Sequence, residues 1–176
     1  MIKNRIKSLR EKFKGYNIDG YIIPKNDEFF SEYASIDRLK TISKFTGSAG
    51  LAVILKNKNY LFVDGRYTFQ AQKQSGKEFK IIEIHKYLPN KILKNLNLGI
   101  DPNLFTEKGL KFYFGRTLKI TEIKKNLIDE IYNEKKIRVN KIFSLSKIVV
   151  GETFISKIKK VNKILFQNRC DHLLVS

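Results

Sequence analysis

The sequence is poor in the residues that build covalent or metal-held frameworks. Cys170 is the single cysteine, so an internal disulfide is excluded, which agrees with a reducing compartment. The two histidines, His85 and His172, lie far apart and outside any HExxH pattern. A zinc site would have to draw most of its ligands from Asp or Glu, so no metal or other cofactor is expected in this chain. Long apolar runs are also missing: none approaches the ~20 residues of a membrane helix. The opening "MIKNRIKSLREKFKG" interleaves charge where a signal peptide carries a continuous apolar block. A cytoplasmic protein with no membrane partner is expected.

Acidic residues are scarce too, 17 against 35 Lys and Arg, for a net charge of +18. Charge of this size makes nucleic acid the first partner to consider. The lysines, however, are spread along the chain and rise together with Ile and Asn, as an AT-rich codon bias would produce. Zinc-finger spacing, an aromatic ribonucleoprotein motif and a KH-type GxxG loop are all absent. Sequence-specific nucleic-acid binding is therefore not expected, while salt-sensitive adhesion to polyanions is. A basic module that binds nucleic acid or another polyanion is the alternative function.

What is present is a globular composition, 42% apolar and 30% charged over 176 residues. That suffices for one domain, or one domain and the start of another. Ile2, Ile6, Leu9 and Phe13 mark one face of a helix that Gly15 stops. "DGYIIP", residues 19–24, reads as a buried strand, and residues 27–45 as mainly helical, with Asn26 or Asp27 as N-cap. "LAVIL" and "YLFVD" form an antiparallel hairpin, apolar throughout and so covered on both faces. A helix over 66–74, a strand at "FKIIEI", a helix over 87–96, a strand at "LGIDP", a helix or loop over 105–113 and a strand at "TLKITEI" follow. The fold class is α/β: a mixed β-sheet with a hairpin, flanked by helices.

Phe154, Ile158, Val161 and Leu165 repeat the apolar spacing of the first helix, and "CDHLLVS" then repeats "IDGYIIP", with Asp171 lying 152 positions after Asp19. The division expected is a domain over 1–150 and, over 151–176, the helix and first strand of a second, similar domain. Cys170 is expected as a small buried hydrophobe beside Leu173 and Leu174.

Few residues offer chemistry. Ser48 in "TGSAG" lacks the nucleophile elbow, because position 46 is Thr and a strand, not a helix, follows Gly50. It also lacks the Lys of a phosphate loop, so Gly47, Ser48 and Gly50 read as a tight bend. Asp64 can cap the helix that follows it, Gly65 permits the turn, and Arg66 can pair with a carboxylate. His85 reads as a surface or capping residue. Asp27, Glu28, Glu32 and Arg38 read as a solvated helix face, or as an interdomain or interprotomer contact.

Together, "IPKNDEFFSEY", "DRLKTISKFTGSAGLAVIL" and "YLFVDGRYTFQAQKQ" resemble the N-terminal domain of the creatinase, prolidase and aminopeptidase P group, most closely the multi-domain Xaa-Pro aminopeptidases. The resemblance covers most of residues 2–150. It implies two N-terminal domains of one fold ahead of a "pita-bread" catalytic domain, where two divalent metal ions, usually manganese, activate a water to cleave the bond before proline. By the resemblance Asp27, Glu32, Tyr33, Arg38, Gly47, Ser48, Gly50, Asp64, Gly65, Arg66 and Tyr67 are structural or interface residues and none is catalytic. The ligand segments of the catalytic domain are not in this sequence, so the chain alone is expected to be inactive. Its partners would be the catalytic domain of the parent chain and, in a homodimer, a second copy, with peptide substrate only in the full-length parent. Lys44 stands where relatives have Gly, and their tryptophans are missing.

Overall fold

A computed structural model describes residues 2–31, 36–115, 118–132 and 143–175. The chain forms two compact units, Met1–Ile137 and Arg138–Ser176. In the first, α1 (Ile2–Tyr16) leads into β1 (Gly20–Pro24), then α2 (Arg38–Ser43) and the hairpin β2 (Gly50–Leu55) and β3 (Asn59–Val63). A 3-10 turn (Gly65–Tyr67) opens α3 (Thr68–Ser75), and β4 (Lys80–Glu83), α4 (Pro89–Ile92), β5 (Asn97–Ile100), α5 (Glu107–Phe114), β6 (Lys119–Glu122) and α6 (Leu127–Ile131) complete the unit.

The sheet order is β4-β3-β2-β1-β5-β6. β1 is antiparallel to β2, with Ile22 opposite Val53, and parallel to β5, with Tyr21 opposite Gly99. β4 and β6 extend the sheet in parallel with β3 and β5. The apolar runs of β1, β2 and β3 are continuous because successive side chains enter two different cores. Tyr21, Ile23, Ala52, Ile54, Leu61 and Val63 join the α1 residues Ile6, Leu9 and Phe13 on one face. Ile22, Leu51, Val53, Tyr60 and Phe62 join Leu93, Phe114 and Leu118 on the other. Truncating a fully buried leucine or isoleucine, Leu9 for example, to Ala costs about 2–5 kcal/mol.

Of the helix predicted over 27–45, the described residues form only α2, which Asp37 caps. The Asp27 carboxylate accepts the N–H groups of Phe29 and Ser31, a local turn that competes with helix, and Phe30 has φ +58°. The helix predicted over 87–96 contracts to α4, since Pro89 starts it and Leu93 is already extended.

In the second unit, α7 (Lys147–Val150) precedes α8 (Phe154–Gln167), whose Thr153 N-cap accepts the Ser156 N–H. The predicted strand at "HLLVS" does not form over residues 172–175. A strand requires a neighbour for its backbone groups, and the described residues of this unit contain none. Cys170 is exposed, not buried as expected.

Candidate functional site

Three separated motifs meet at the carboxyl ends of β1 and β3. Pro24 closes β1, Ser48 and Gly50 lead into β2, and Asp64 follows β3. All of them line one crevice of about 490 Å³, with Ile84, His85, Leu104 and Tyr113 on its far walls. In open α/β sheets this end of the strands is where ligands bind.

The polar groups here are engaged within the domain. Ser48 Oγ lies 2.8 Å from the Tyr67 hydroxyl, and the Tyr67 ring meets Phe45 edge-on at 5.9 Å. Gly47 is pressed against Phe45 so closely that a Cβ there would lie 2.2 Å from Cζ of the ring, and one at Gly50 would lie 3.0 Å from the same ring. Asp64 caps the 3-10 turn: Oδ1 accepts the Arg66 N–H at 3.0 Å and Arg66 Nε at 2.9 Å. His85 Nε2 sits 3.3 Å from Asp64 Oδ2. The Arg66 side chain, then its backbone amide, and further His85, hold the Asp64 carboxyl down to about 2. His85 thus faces Asp64, and Ser48 faces a phenol; no base touches Ser48 among the described residues.

Arg38 departs from the expected solvated helix face. It is 6% exposed, donates from Nε and Nη2 to both oxygens of Asp129 at 2.9 and 2.8 Å, and reaches Glu28 at 2.8 Å. Burial works against its charge, and the hydrogen bonds to Asp129 and Glu28 outweigh it, holding its pKa above the ordinary value. Its Nη1 is buried without an acceptor. The contact ties α2 to α6 inside one unit. Asp37, next to it, caps α2 through the Lys40 N–H and pairs with Lys25 at the crevice rim. Sequence reasoning missed Asp129 and Asp37, and for Asp37 its place just before a helix was the available signal. Asp27 and Glu28 lie in the turn before α2, and Glu32 and Tyr33 fall outside the described residues. Among the described residues no group of three His, Cys, Asp or Glu could hold a metal ion, and no helix is long and apolar enough to cross a membrane.

Residues 5–119 match the Creatinase/Prolidase N-terminal domain. The chain belongs to that family. Among curated relatives of this creatinase-type domain, a probable Xaa-Pro aminopeptidase P of Coprinopsis cinerea is 34% identical over 90% of the chain and 28% of the relative. Xaa-Pro aminopeptidase 2 of Mus musculus is 30% identical over 92% of the chain and 26% of the relative. The chain thus spans less than a third of the length of either. Among solved structures, X-prolyl aminopeptidase of Caenorhabditis elegans, described as a cytosolic enzyme with a di-nuclear active site, matches with a TM-score of 0.71 at 24% identity, over 97% of this chain and 32% of that one. The N-terminal domain of the cytoplasmic peptidase PepQ from Mycobacterium tuberculosis matches at 0.56 and 20% identity, over 73% of this chain and 98% of that one. The creatinase-type fold expected from the three motifs is the fold observed.

Proposed function

We propose that this chain is the noncatalytic N-terminal part of an Xaa-Pro aminopeptidase-like metallopeptidase, and that residues 151–176 begin a second domain of the same kind. Its role is to dock onto the catalytic portion, narrow the entrance to the active site so that short peptides are favoured, and support assembly, including a homodimer. Two divalent metal ions, manganese by the resemblance, belong to the catalytic portion of the parent, and the parent works in the cytoplasm.

The observation that carries this reading is the state of the crevice. Its motif residues bond to one another, Ser48 to Tyr67 and Asp64 to Arg66 and His85, and so present a braced surface without an activated nucleophile. The test is direct: the purified 176-residue chain, supplied with manganese, is expected to release no N-terminal residue from an Xaa-Pro peptide. Metal-dependent release by this chain alone would overturn the proposal.

A further inference from the structure

Away from the crevice, four lysines gather around a second hollow. Lys3 at the start of α1, Lys44 at the end of α2, Lys73 in α3 and Lys77 just beyond it line a depression of about 290 Å³. One carboxylate shares it, Glu78, whose Oε1 is 3.8 Å from Lys3 Nζ. Among the described residues Lys44, Lys73 and Lys77 make no ion pair.

Helix dipoles favour a cation at the end of α2 or α3, which accounts for individual lysines. It does not account for four of them lining one hollow that holds a single acid. Lys44 holds φ +67°, a left-handed conformation that glycine adopts without strain, as Asn17, Phe30, Asn95 and Arg169 also hold positive φ. A compact anion of several charges would complement a hollow lined by four lysines and one acid. The hollow lies at the small end of ligand-site volumes, which suits a bare chain of phosphates better than a base or sugar.

We propose that this hollow binds an oligophosphate, independently of the role assigned to the crevice. Lysine ammoniums act as point charges toward phosphate oxygens and require no fixed plane of approach.

The test is calorimetric titration of the 176-residue chain with inorganic tripolyphosphate at about 0.15 M salt, where long-range attraction is largely screened. Saturable one-site binding is expected. Lys44→Glu with Lys73→Glu should weaken it about tenfold or more, while Lys124→Glu with Lys125→Glu, an equal change of charge elsewhere, should alter it by less than about twofold. Lys44→Gly separates binding from folding: it should weaken binding while leaving the melting temperature unchanged or raised. Absence of saturable binding overturns the proposal, as does equal weakening by the two charge-reversing pairs. So does an oligonucleotide that binds more tightly than tripolyphosphate and is released equally by both pairs, since that is attraction to net charge alone.

Discussion

One carboxylate, Asp64, joins the end of β3 to the turn that opens α3. Its folded pKa of about 2 lies below the ordinary 3.8, so the stabilisation it gives is complete above about 4 and is lost as pH falls from there toward 2. A carbon-13 titration of its side chain should show a midpoint near 2, and Arg66→Ala should raise it; a midpoint that ignores the substitution would refute the assigned cause. Arg38 works differently, because a buried guanidinium stays charged and is costly once its acceptors are removed. Asp129→Ala is expected to cost about 1–2 kcal/mol in denaturant unfolding, and Glu28→Ala under about 1, because Asp129 accepts two hydrogen bonds from Arg38 and Glu28 only one, and both carboxylates are partly exposed. The Asp64 cap could be read from the sequence because capping is a matter of adjacent residues. The burial of Arg38 could not, since Asp129 stands 91 positions away and only the packing of α6 brings it close.

Elements with long, regular apolar spacing emerged from the sequence with little error. α1 and the β2–β3 hairpin are examples, since each buries a face whose period is set by its own geometry. Two helices came out shorter where side chains or backbone overrode propensity: Asp27 folds its own turn, and α4 starts at Pro89 and ends before the extended Leu93. The bend before β2 was anticipated as small and tight, but its reason is a ring. Phe45 is fully buried, lies across Gly47 and meets Tyr67, so the bend is shaped by an aromatic pair as much as by backbone freedom. Gly47→Ala should therefore displace Phe45 and lower stability by about 1–3 kcal/mol, measured by thermal or denaturant unfolding. A substitution that left the melting temperature unchanged would show that the ring yields freely.

Across the whole molecule the sheet has two halves of unlike construction that share β1. On one side lies a hairpin of neighbours in sequence; on the other, β5 meets β1 at Gly20–Leu98, with β2, β3 and β4 all intervening along the chain. Closing that contact costs the entropy of a long loop, whereas the hairpin closes over a few residues. Pulse-labelled amide exchange during refolding should accordingly find β2 and β3 protected before β5 and β6; simultaneous protection would contradict this order. During synthesis the same arrangement sets a delay. β1 leaves the ribosome before β5 and can join the hairpin, yet its opposite edge stays open until β5 emerges, so the nascent chain carries an unpaired strand edge between the two and is most exposed to wrong partners in that interval.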